Sequence, residues 1–162
     1  MFRPDVTVAT IVPCNGRLLL VEERARGELV LNQPAGHLEA GESLIEAAAR
    51  ETLEESGWEV AITHLVGVYR WCAEGDVRHH QAASGETTPV AGPTFLRFAF
   101  AAEPVRHHPE RPLDRGIERT LWLTPAELRA AGNRLRSPLV LAVVDDWLAG
   151  ARLPLSALRD IA

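Results

Sequence analysis

Six of the 16 glutamates in this 162-residue chain fall between Glu39 and Glu55. Placed at about 100° per residue along a helix, Glu51, Glu54 and Glu55 share one arc about 100° wide. Ile45, Ala49, Thr52 and Leu53 lie on the opposite side, which is expected to face a core. Such clustering has a cost. Like charges at i,i+3 and i,i+4 destabilise a helix by a few tenths of a kcal/mol per pair. Carboxylates near the C-terminal end also oppose the macrodipole, at about 0.3–1 kcal/mol each. In a concave site, two charges ~6 Å apart at an effective dielectric of ~20 repel by about 3 kcal/mol. Two readings follow. One is a solvated acidic face, where these costs are tolerable. The other is a site for a hard divalent cation, Mg²⁺ or Mn²⁺, which takes carboxylate oxygens and whose charge removes the repulsion.

The elements that must position these residues are legible around them. A helix is expected from Ser43 to Ser56, with Ser43 and Glu46 as a capping box and Gly57 as its stop. Val6 to Val12 alternates as a strand, Asn15-Gly16 marks a hairpin turn, and Leu18 to Val21 returns. Further strands are expected at Leu29–Leu31, Trp58–Ile62, Val66–Cys72, Phe95–Ala101 and Thr120–Leu123. Gln33 to His37 reads as a loop. Thr124-Pro125 with Glu127 starts a short helix, and Ser137-Pro138 starts another that runs to about Ala149. Residues 74–93 have no apolar period and read as a long loop between strands. Strands and helices intermix in a single domain over 1–162, which gives an α/β or α+β class with helices covering a mixed sheet.

The residues before the helix decide between the two readings of the acidic arc. Gly36 to Trp58 reads GHLEAGESLIEAAARETLEESGW. It resembles the Nudix box, G-x5-E-x7-R-E-U-x-E-E-x-G-U, in which U is a bulky apolar residue. Gly36, Glu42, Arg50, Glu51, Glu54, Glu55, Gly57 and Trp58 match in type and spacing, and Thr52 departs at the first U position. The resemblance implies a Nudix hydrolase: an α/β/α sandwich with a mixed β-sheet and the Nudix loop-helix, cleaving a diphosphate linkage with Mg²⁺ or Mn²⁺. It implies Glu54 and Glu55 as metal ligands, and Glu51 as a further ligand or the general base. Gly36 would offer its carbonyl to the metal, Arg50 would hold the glutamates by salt bridges, and Glu42 is the supporting acid. Such metals neutralise the diphosphate and lower the pKa of bound water, while a carboxylate takes the proton as water attacks phosphorus.

The segments VTVATIV, LNQPAGHLEAGE, TFLRFAFA, LDRGIERTLWLT and RLRSPLV further resemble the phosphatase NudJ subfamily. That similarity spans the chain except residues 74–93. It implies hydrolysis of hydroxymethylpyrimidine diphosphate, thiamine diphosphate and nucleoside di- and triphosphates, with release of orthophosphate. The alternatives are a nucleoside triphosphate pyrophosphohydrolase that releases pyrophosphate, and a non-catalytic ligand-sensing module. Glu118, before a strand, is a candidate metal-facing acid, with a plain surface glutamate as the alternative. Candidate substrate contacts are Arg97 and Arg136 for phosphate, and Tyr69 and Trp71 for stacking on a ring. Gln33 and His37, flanking the start of the box, complete the set. Each has an ordinary structural alternative: an ion pair, core packing or a loop hydrogen bond.

The bulk composition is consistent with this. All 17 Lys+Arg residues are arginines. A Schiff-base lysine, a lysine base and a P-loop lysine are therefore excluded, and any phosphate clamp must use arginine, backbone N–H groups or metal. A net charge of −5 argues against a nucleic-acid polymer or an anionic membrane as partner. The expected partner is a small-molecule diphosphate or nucleotide, and the expected state is a monomer or homodimer. Cys14 and Cys72 suit reduced thiols in a cytoplasmic protein. No signal peptide or membrane-spanning run is read.

Overall fold

The computed structural model describes residues 3–73, 78–81, 87–90 and 92–161. In chain order these contain β1 (Asp5–Ile11), β2 (Pro13–Cys14), β3 (Arg17–Ala25), β4 (Glu28–Asn32), β5 (Ala35–His37) and α1 (Leu44–Ser56). Then come β6 (Trp58–Cys72), β7 (Arg78–Gln81), β8 (Thr87–Val90), β9 (Thr94–His107), β10 (Ile117–Leu123), α2 (Pro125–Ala130) and α3 (Leu139–Leu148). One sheet has the order β5-β1-β9-β6, with β1 parallel to β9 and the other pairs antiparallel. A second joins β10, β3 and β2, with β4 also paired to β3.

Alternation along β1 and β9 explains the layers. Val8 and Phe100 face Ala47 and Ala48 of α1. Ile11, Ala99 and Ala101 face Val140, Val143 and Val144 of α3. Residues of opposite parity thus fill cores on opposite sides of one mixed sheet, because successive side chains point to opposite faces. This is the expected α/β/α sandwich. The Asn15-Gly16 turn and both capping boxes form as the sequence predicts. Among the described residues no helix is long and apolar enough to cross a membrane. Cys14 and Cys72 are free thiols.

Three expectations need correction. The two strands read at 58–62 and 66–72 are one strand, β6, carried through Thr63–Leu65 by register shifts against β9. Bulges break the period-2 pattern without ending the strand. The loop read at 33–37 contains β5, whose Gly36 pairs with Val8; three residues around a glycine are too few to show alternation. The third concerns the acidic helix, whose buried face is Ala47, Ala48, Thr52, Glu55 and Ser56. Glu55 therefore belongs to the covered side. Half of the loop expected over 74–93 lies outside the described residues; within the other half, β7 and β8 pair antiparallel.

Candidate active site

α1 is fixed at both ends. Ser43 accepts from the Glu46 N–H while the Glu46 carboxylate accepts from the Ser43 N–H, and Gly57 closes the helix in the left-handed region at φ 72°. On its buried side, Thr52 bonds Thr10 of β1 through their hydroxyls at 2.7 Å. That pairing accounts for a threonine at the position where the box calls for an apolar side chain: its hydroxyl has a partner. The Ala35 N–H donates to Glu55 Oε2 at 2.9 Å, which ties β5 to the helix.

Arg50 organises the carboxylates. Its Nε and Nη2 donate to the two oxygens of Glu42 at 2.8 and 2.7 Å, a bidentate pairing of fork on carboxylate. Nη1 donates to Glu51 and to Glu54, both at 3.0 Å, and Nη2 reaches the His37 carbonyl at 3.1 Å. One guanidinium thus links the β5 segment to three glutamates. Its hydrogen bonds hold the Glu42 carboxyl below the usual range. Burial pushes Glu51 up, with Arg50 opposing. Burial also pushes Glu55 up to about 8, with the Ala35 N–H opposing.

Glu51, Glu54 and Asp114 each place one carboxylate oxygen within 4.8 Å of the others, close enough to share one ion. Asp114 comes from the turn before β10, and its N–H donates to the Glu54 carbonyl at 3.0 Å. No sequence pattern marked it: its partner lies 60 residues earlier in the chain. Glu118 is not brought into this cluster. It pairs with Arg24 at 3.0 Å on an exposed surface, next to the register irregularity between Ile117 and Arg119. Glu55 is outside this group of three, and its Oε2 accepts from the Ala35 N–H. Gly36 is in the cradle itself: a Cβ there would overlap the Glu51 carboxyl group.

A cavity of about 760 Å³ opens beside Gly36 and His37. Of the candidate substrate contacts, Arg97, Trp71 and Arg136 line it, together with Glu23 and Phe95. Trp71 stacks on Phe95 with centroids 5.5 Å apart. Arg136 is held by Glu23 at 3.1 Å. Arg97 is buried at 8 % exposure, and desolvation pushes its pKa down to about 10, with Glu23 opposing. Tyr69 and Gln33 are not on the cavity wall. The Tyr69 hydroxyl donates to Asp146 at 2.7 Å and its ring packs against the α3 core. Gln33 is buried and donates to the Val140 carbonyl at 2.8 Å, joining the β4–β5 connection to α3. Both take the structural alternative.

The comparisons with known proteins agree with this geometry. The family model of the NUDIX domain matches residues 1–143. Phosphatase NudJ of Escherichia coli (strain K12) is 41% identical over 160 residues, covering 99% of this chain and 94% of that protein. A solved NUDIX hydrolase from Nitrosomonas europaea superposes with a TM-score of 0.85 at 42% identity, covering 98% of both chains. The MutT protein from Methanosarcina mazei Go1, 15% identical, shares the fold at a TM-score of 0.66 over 94% of this chain and 99% of that one. With its Arg50-centred carboxylates on a capped helix beside the cavity, the chain belongs to the Nudix hydrolase family.

Proposed function

We propose that this protein is a Mg²⁺-dependent hydrolase of small pyrophosphates, with Mn²⁺ as a possible substitute, and that it releases orthophosphate. Its proposed substrates are hydroxymethylpyrimidine diphosphate, thiamine diphosphate and nucleoside di- and triphosphates. The observation that carries this reading is the convergence of Glu51, Glu54 and Asp114 within 4.8 Å, at a box whose cavity is lined by three arginines, Arg26, Arg97 and Arg136, and an aromatic pair. The likeness to phosphatase NudJ supports the product and the substrate class.

The donor set fits a hard divalent cation. It offers only carboxylate oxygens and the backbone of β5, and three carboxylates that close carry an electrostatic cost that a divalent charge offsets. Glu51, Glu54 and Asp114 would hold the ion, with Glu55 and the Gly36 carbonyl as the further ligands implied by the box. When bound, the ion supplies charge neutralisation of the diphosphate and a lowered pKa for bound water. Arg50 keeps the Glu51 and Glu54 oxygens in one orientation. Either of those two glutamates takes the proton of the attacking water. His37, Trp71, Arg97 and Arg136 bind the substrate in the cavity. We place the enzyme in the cytoplasm, with both thiols reduced.

The test is product analysis. Incubation with Mg²⁺ and each diphosphate or triphosphate, without added pyrophosphatase, should yield orthophosphate as the first product. Predominant pyrophosphate from a triphosphate would replace this reading with the pyrophosphohydrolase one. No turnover on any of these substrates would leave the ligand-sensing module.

A further inference from the structure

Thr7 of β1 lies directly opposite Arg97 of β9, and His37 of β5 lies opposite Thr7. Opposed residues on paired strands share a face, so the three form one polar row, and all three line the cavity. The neighbouring positions on that face, Ala99, Ala101 and Ile11, are apolar and belong to the α3 core. Thr7 is 4 % exposed and Arg97 8 %. Among the described residues, Thr7 Oγ1 and both Nε and Nη1 of Arg97 have no hydrogen-bond partner. A buried guanidinium with unfilled donors is costly to the fold.

The nearby acids do not relieve it. Glu23 is ion-paired with Arg136 at 3.1 Å and accepts from Asn32 at 3.3 Å, and Glu55 accepts from Ala35. Their charges favour the Arg97 cation without occupying its N–H groups. What the site lacks is an acceptor, and a negatively charged tetrahedral oxyanion offers acceptors to both residues at once.

We propose that Arg97 and Thr7 form an anion subsite on the cavity wall, separate from the Glu51–Glu54–Asp114 cluster, that receives a phosphate group. This deepens the hydrolase reading and rests on it for the source of that phosphate. A substrate phosphate and released orthophosphate share the same chemistry here. Arg97 binds it through charge and the Nε and Nη1 donors, and Thr7 adds one hydroxyl.

The experiment is calorimetric titration of metal-stripped protein with inorganic phosphate and with inorganic pyrophosphate. The wild type should show saturable one-site binding. Arg97→Met should weaken it about tenfold or more, and isosteric Thr7→Val about threefold to fivefold. Glu54→Gln should retain it. Because Arg97→Met also removes a buried charge without a partner, its melting temperature should hold or rise. Should the methionine variant fail to fold, Arg97→Lys keeps the charge, loses the fork and should bind phosphate at intermediate strength. Tighter binding of pyrophosphate assigns the subsite to substrate, and tighter binding of orthophosphate assigns it to product; either supports the proposal. Absence of saturable binding to the wild type, or equal affinity in the Arg97 and Thr7 variants, overturns it. Turnover without metal-free phosphate binding removes the subsite and keeps the hydrolase. Phosphate binding without turnover does the reverse.

Discussion

The carboxyl group of Glu51 occupies the space that a side chain at Gly36 would need. A Cβ at position 36 would overlap its Cδ and both oxygens. The glycine of the box is therefore required by close approach and not by an unusual backbone angle, since Gly36 is absent from the positive-φ residues. Gly36→Ala should fold, with an unchanged circular dichroism spectrum, and should displace Glu51. A displacement of about 1 Å at a reacting centre costs on the order of 10²-fold, and steady-state kinetics should show that fall in kcat.

Asp114 and Glu118 separate the structural assignment from the sequence expectation. Asp114→Asn should lower activity or metal affinity by about 10–100-fold, a typical cost for residues at or around a metal centre. Glu118→Gln breaks an exposed pair with Arg24, worth ~1 kcal/mol at most, and should leave kcat/KM unchanged. If the Glu118 variant is the impaired one, the placement of Asp114 in the site is wrong.

Metal binding should be visible without turnover. A ligand that binds only the folded state raises its stability, by about 2.7 kcal/mol at 100 times Kd. Added Mg²⁺ should therefore raise the Tm of the wild type, and EDTA should reverse the shift. Glu54→Gln should abolish most of that response and lower kcat by about 10²–10⁴-fold, the range for loss of a general base. An unaltered Mg²⁺ response in this variant would count against Glu54 as a ligand.

The Thr10–Thr52 hydroxyl pair is buried at 1 % and 0 % exposure. Thr52→Val leaves the Thr10 hydroxyl with one partner fewer, at a cost of about 1–3 kcal/mol. Thr10→Val costs less, because Thr52 keeps its bond to the Ala48 carbonyl at 2.7 Å. The double valine variant should recover most of the loss, since two apolar groups of matching shape need no partners. Urea denaturation of the four proteins measures the coupling.

Glu22 predicts an acid sensitivity. It is buried at 4 % exposure between Arg119 at 3.0 Å and Arg134 at 2.7 Å. The Arg119 hydrogen bond, opposed by burial and aided by both charges, holds its pKa below the ordinary 4.5. A folded-state value below the unfolded one means that the stabilisation is fully present above about 4.5. It declines as the pH falls below that value and is lost once the pH passes through the folded-state pKa. Thermal denaturation from pH 6 downward should show a steeper loss in the wild type than in Glu22→Gln.

The chain's local chemistry was enough to locate the acidic helix and its caps, because capping boxes, a stop glycine and the box spacing all act within a few residues. The arginine-only composition is compatible with this box, none of whose matched positions calls for a lysine. Arg50 reaching Glu51 and Glu54 follows from their positions on one helix. Its bidentate hold on Glu42 agrees with the spacing of the box.

Longer-range geometry was not legible in the same way. Tyr69 and Trp71 share a strand face by parity, yet one bonds Asp146 of α3 and the other stacks on Phe95 in the cavity. The divergence depends on what packs above each position. Gln33, beside the box, is taken by the Val140 carbonyl, 107 residues away.

The sequence by itself determined the family, the acidic helix and the arginine that orders its glutamates, since these follow from residue types at short spacing. Tertiary structure alone decided that Asp114 joins Glu51 and Glu54, that Glu118 turns to Arg24, and that Glu55 is buried under β5. It also decided that Arg97 stands in the cavity wall with Thr7 beside it. Each of these depends on strands and turns far apart in the chain meeting in one register, and pairing register is set by packing of the whole sheet, not by any local pattern.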